Sequence, residues 1–166
     1  MTMAEALNES DPALLYEQDF AAWLDLQVAA LRKRRFTDLD LDNLIEEVES
    51  IRRAEARGVE HHARVVVAQL LQLAHSTLGD PRRSWKSTAN AHRDELETRL
   101  TPTLRQELEA GLEKVYARGR KLAATVLETE GTDRDWLPRR CPYTLAEILE
   151  EDWFPTNVYG FDRLER

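Results

Sequence analysis

Among 166 residues there is one cysteine, Cys141, held between Arg140 and Pro142. It cannot close an internal disulfide, and no second thiol lies at metal-binding spacing. Glycine and proline number six each, too few for collagen and too scattered for a phosphate-cradling loop. No apolar run approaches the ~20 residues of a membrane-spanning helix. The first residues show no basic-then-apolar leader. Strand-like alternation is missing throughout. These absences lead to the expectation of a cytoplasmic protein with no membrane partner. Basic residues are also short, 23 against 31 acids, for a formal charge of −8 and a pI near 5.1. A chain this acidic repels phosphate backbones on average, which argues against nucleic acid as a partner.

What is present is helical periodicity. A chain of this size can bury about 70 % of its unfolded surface, enough to fold without disulfides or metal. The apolar spacing predicts an all-α bundle of four main helices, about 12–35, 41–78, 81–100 and 102–129. A short helix at about 144–151 follows. Residues 1–11 are expected to be loose, and 12–160 to form a single helical domain. The first segment puts Phe20, Trp23, Leu24, Val28 and Leu31 on one face. The second opens on Asp40 as a cap and carries Leu41, Leu44, Ile45, Val48 and Ile51, then Val59, His62, Val65, Val66, Leu70 and Leu73. Gly58 is the place for a kink. Gly79-Asp80-Pro81 reads as a stop, a cap and a start, and Thr101-Pro102 repeats the start.

The third segment spaces Trp85, Ala89, His92, Leu96 and Leu100 by three and four. The fourth carries Leu104, Leu108, Leu112, Val115, Tyr116, Leu122 and Val126, with Gly111, Gly119 and Ala123 beside that face for close helix approach. Thr144 and Glu147 form a capping box. Trp136, Tyr143, Trp153, Phe154 and Tyr159 are expected to pack back over the helices.

The order of several short motifs carries a resemblance. Tyr16-Glu17-Gln18-Asp19-Phe20 with Trp23 comes first, then Leu44-Ile45-Glu46-Glu47-Val48-Glu49 with Arg53 and Glu55. Ser84-Trp85, Tyr116 and Ala117-Arg118 follow. Cys141-Pro142-Tyr143-Thr144-Leu145 and Asp152-Trp153-Phe154-Pro155 close the series. The chain resembles the bacterial family known as domain of unknown function 29 over roughly residues 16–155. The resemblance implies a small helical bacterial protein and carries no activity, catalytic residue or cofactor.

Three constellations are candidates for chemistry. Glu46, Glu47 and Glu49 crowd the start of the second segment, and clustered carboxylates on a bundle helix can hold Mg²⁺ or Mn²⁺. The all-α nucleotide pyrophosphohydrolases use two adjacent Glu, a third three positions after the second, and a later E-x-x-D. Here Ser50 stands at the third position, and the only E-x-x-D is Glu130 to Asp133. Against the metal reading, Glu49 and Arg53 are well spaced for an i, i+4 ion pair. His62 and His92 lie on apolar stripes, so their rings can meet in a pocket between the second and third helices. Arg82, Arg83 and Lys86 surround Trp85 in a locally basic stretch, a candidate nucleic-acid surface. Pairing with acids of the second helix is the plainer use of these bases.

No complete catalytic set emerges, and no cofactor is expected. The expectation is a non-enzymatic protein acting through protein contacts, as a homodimer or with another protein. A divalent-metal nucleotide hydrolase and a nucleic-acid binder are the alternatives.

Overall fold

In the computed structural model, residues 12–79 and 81–161 are described. They form an all-helical chain with no strand among them. Residues 1–11 and Asp80, expected to be loose and a cap respectively, lie outside the described residues. Helices α1 (Pro12–Gln18), α2 (Phe20–Arg32), α3 (Leu41–His75), α4 (Arg82–Arg99), α5 (Pro102–Ala110), α6 (Leu112–Thr129) and α7 (Leu145–Leu149) follow in order. Single 3₁₀ turns occupy Phe36–Asp38 and Arg134–Trp136.

The first and fourth segments differ from the continuous helices expected. Asp19 interrupts the first because its carboxylate accepts the Ala22 N–H at 3.0 Å, a cap set inside the apolar stripe. Gly111 divides the fourth: its N–H closes α5 on the Glu107 carbonyl at 2.9 Å, and α6 begins at the next residue. By contrast α3 passes through Gly58 as unbroken helix and stops at His75, three residues before Leu78. Thr101 accepts the Leu104 N–H with Pro102 leading α5, and Thr144 and Glu147 form the reciprocal capping box.

The chain divides into two compact units at Ala54 and Glu55. In the first, α2 and the opening of α3 form an antiparallel hairpin joined by residues 33–40. Asp40 is its clasp. Its backbone N–H donates to Gln27 Oε1 at 2.9 Å, its carboxylate accepts from Trp23 Nε1 at 3.1 Å, and Asn43 Nδ2 donates to it at 2.7 Å. At the open end the Tyr16 hydroxyl donates to Glu47 at 2.6 Å. Tyr16, Phe20 and Trp23 cluster, with the Tyr16–Trp23 centroids 4.9 Å apart edge to face.

The second unit holds the main core: Val59, Ala63, Val66, Val67, Leu70 and Leu71 of α3 pack against Leu96, Leu108, Val115, Tyr116, Ala123 and Leu127. Gly119 is where α6 meets α3. A Cβ there would stand 2.7 Å from Val67 Cγ1 and 2.9 Å from the Arg64 carbonyl oxygen. The buried face of α6 runs through Val115, Tyr116, Gly119, Ala123 and Leu127, which leaves Leu122 and Val126 exposed, not inside as their spacing suggested. Small residues set the packing face here, and leucine and valine flank it.

Two polar side chains tie the C-terminal segment down. Arg93, 4 % exposed, donates to the carbonyls of Glu147, Ile148, Glu151 and Trp153. These include carbonyls that a five-residue helix cannot satisfy internally. The Arg93 guanidinium also lies 5.0 Å from the Phe154 ring centroid. Asn157 donates to the Leu73 and Ser76 carbonyls at the end of α3. Tyr143 is buried, and Trp153 and Phe154 pack partly against the core, as the aromatic content predicted. Trp136 and Tyr159 do not share that burial and are exposed.

Candidate functional site

The most unusual surface belongs to the hairpin. Phe20, Leu24, Val28 and Leu31 recur along α2 at spacings of four, four and three, and every one is exposed. Leu41, Ile45, Val48 and Ile51 do the same on α3, with Val48 65 % and Ile51 63 % exposed. The intervening face of α2 is spent inside the hairpin: Trp23, Gln27 and Ala30 are buried. Each helix therefore carries an apolar stripe wider than one neighbour covers, the pattern of a bundle helix with two neighbours. Of the hydrophobic side chains described in this unit, only Leu15, Trp23 and Ala30 are buried. That core is far too small for an independent helical pair. Sequence spacing put the α2 residues on one face with Trp23, and the fold parts them: Trp23 is buried and the other four are exposed.

The carboxylates weighed as an alternative metal cluster do not converge on one point. Glu47 accepts the Tyr16 hydroxyl, which pushes the phenol up to about 12, with the hydrogen bond to Glu47 the largest cause. Glu49 pairs with Arg53 at 3.1 Å, the i, i+4 pair read from spacing, and Glu46 is exposed. Among the described residues, no three His, Cys, Asp or Glu side chains gather in a way that could hold a metal ion.

His62 and His92 do meet. Their Nδ1 atoms are 2.8 Å apart, so one imidazole donates and the other accepts a single proton between them. His61 stacks edgewise on both, with centroids at 5.3 and 5.9 Å. Its Nδ1 lies 2.9 Å from Arg64 Nη2, so the guanidinium donates to it. Burial, then the neighbouring imidazoles, holds His62 and His92 below the ordinary histidine value. The pair is thus kept neutral near pH 7, a proton-sharing clamp between α3 and α4. Beside it, Arg57, His61, Arg64 and Arg118 line a cleft of about 180 Å³, where Glu60 already pairs with both Lys114 and Arg118.

The three bases of the candidate patch stand in different surroundings. Arg82 is 1 % exposed and donates to the Leu73 carbonyl at 2.7 Å, capping α3 from inside. Lys86 lies 5.5 Å from the Phe154 ring centroid, Trp85 is half-buried, and Arg83 alone of the three bases is fully exposed. Cys141 is half-buried, with Sγ 3.2 Å from the Tyr143 carbonyl, and burial raises its thiol above the ordinary value. It is kept as an un-ionised thiol. The roles of Arg93 and Asn157 had no advance signal: one of several bases on a polar helix and an asparagine in a tail look solvated until the carbonyls they serve are located.

Fold and surface together define a small all-helical protein whose distinctive feature is an uncovered apolar hairpin. The chain belongs to the family described as domain of unknown function DUF29, whose model matches residues 15–154. No curated protein and no solved structure matches it. No helix among the described residues is long and apolar enough to cross a membrane.

Proposed function

We propose that this chain acts through protein contacts made by the hairpin of α2 and the first part of α3, as a non-enzymatic cytoplasmic protein. One observation carries the reading: eight large apolar side chains at helical spacing stand exposed on a unit with three buried hydrophobic residues among those described. Exposed apolar stripes of that extent mark an interaction site. Glu47, Glu49, His62 and His92, by comparison, are engaged with one another or with neighbouring side chains.

The test is photo-crosslinking in cells, with a photoreactive residue in place of Val48 and, as a control, in place of exposed Glu128 of α6. The expected result is an intermolecular adduct from position 48 and none from position 128. No adduct from position 48 under conditions that crosslink a known complex would refute the reading.

A further inference from the structure

We infer that the occupant of the hairpin face is a second copy of the same chain, its α3 antiparallel to the first, so that two hairpins complete a four-helix bundle. The inference rests on the proposed protein-contact reading and names its partner.

The area is right for such a dimer. The eight side chains are 38–65 % exposed; at half of about 180 Å² each they offer roughly 700 Å² per copy, close to the ~800 Å² per partner of a stable interface. Half of a four-helix bundle has two helices, each with one stripe turned to its hairpin mate and an adjoining stripe turned outward. That is the division between buried Trp23, Gln27 and Ala30 and exposed Phe20, Leu24, Val28 and Leu31.

Charge selects the orientation and favours self-pairing. On the opening of α3 the acids come first, Asp42, Glu46 and Glu49, and the bases last, Arg52 and Arg53. A parallel pair would lay like charge on like. With antiparallel helices crossing midway between Ile45 and Val48, each Ile45 meets the other copy's Val48. Arg52, which continues the line of Leu41, Ile45 and Val48, comes level with Leu41 and Asp42 of the second copy. Its aliphatic stem covers the leucine while its guanidinium reaches the carboxylate. The same helix supplies both halves of the contact, as a two-fold interface requires.

Sedimentation velocity of the purified full chain over a concentration series tests this. The expected result is a concentration-dependent dimer that Val48→Glu converts to monomer, with helix content followed by circular dichroism. Because Val48→Glu could disturb the hairpin itself, the charges supply a second test. Asp42→Arg and Arg52→Glu should each weaken the dimer, by about tenfold over two symmetric pairs, and the double variant D42R/R52E should restore it. A dimer indifferent to Val48→Glu, or single reversals without effect, would overturn the inference. So would a wild-type monomer. If that monomer still forms the position-48 adduct in cells with a different polypeptide, the contact reading survives and the homodimer fails. If it forms none, both fail.

Discussion

Two glycines inside helices, Gly58 of α3 and Gly119 of α6, should respond to alanine with opposite signs. Neither has the left-handed backbone that would itself exclude alanine; that conformation belongs to Gly131 and Gly160. An interior glycine costs about 0.5–1 kcal/mol relative to alanine through lost backbone entropy. At Gly58 the added methyl meets only Arg99 Nη1, at 3.7 Å, so Gly58→Ala should gain that amount. At Gly119 it would stand 2.7 Å from Val67 Cγ1 and 2.9 Å from a backbone oxygen of α3, which cannot swing away. Separating the helices costs about 1–3 kcal/mol by the measure of overpacked cores. Net of the helix gain, Gly119→Ala should lose roughly 1–2 kcal/mol, about 2–8 °C in Tm for a chain of this length. Urea and thermal unfolding of the two variants, at one protein concentration so that association does not enter, give both signs. If Gly119→Ala stabilises the protein as much as Gly58→Ala does, the close approach of α6 to α3 is wrong.

Below about pH 6.5 the unfolded chain should bind protons that folded His62 and His92 refuse, because both are lowered from 6.5 in the fold. Stability is therefore fully present above that pH and falls as the pH drops, with a slope of at most about 1.4 kcal/mol per pH unit for each proton. Half-buried His75, lowered by its burial, adds to it in the same direction. His62→Gln should flatten urea midpoints measured between pH 7 and 5, and an unchanged slope would refute the clamp. Arg93→Met leaves four carbonyls without their donor and should cost about 3 kcal/mol or more, with Trp153 fluorescence shifted to the red as the tail loosens. A full-strength tail in that variant would count against the anchor. Trp23→Phe keeps an aromatic ring but removes the 3.1 Å bond to Asp40 and part of a fully buried indole, for a loss of about 2 kcal/mol or more in thermal unfolding.

Local rules made much of the fold readable. Thr101-Pro102 and Thr144 with Glu147 act over three or four residues, and both sit where their chemistry requires. Apolar spacing gave the helices and placed His62 opposite His92, because a helix repeats every 3.6 residues whatever surrounds it. Spacing is blind to which stripe another helix covers. Leu122 and Val126 fit the period of α6 as well as Gly119 and Ala123 do, yet the smaller residues face inward because they admit the α3 backbone. Charge patterns leave the use of a side chain open in the same way. Arg82 reads as one of several bases until the Leu73 carbonyl beside it is known, and Glu47 as a metal ligand or as an acceptor for a neighbouring helix until Tyr16 is found to donate to it.

Helix α3 shows most sharply what periodicity leaves open. From Val65 to Leu73 it is apolar on most sides, which marks that half as the most buried element, and Val66, Leu70 and Leu73 are fully buried. Its opening carries a single stripe, and there Leu41, Ile45, Val48 and Ile51 stand in solvent, with no covering side chains among the described residues. Burying an exposed leucine or isoleucine contributes about 1.5–3 kcal/mol when fully realised. Four such residues on each of two helices represent a driving force larger than the hairpin's own small core. If a second copy covers the hairpin as proposed, its folding and its association become a single equilibrium, as in dimers that have no stable monomer. Its resistance to unfolding should rise with protein concentration, while the core around Val66 and Leu70, complete within its own unit, should not.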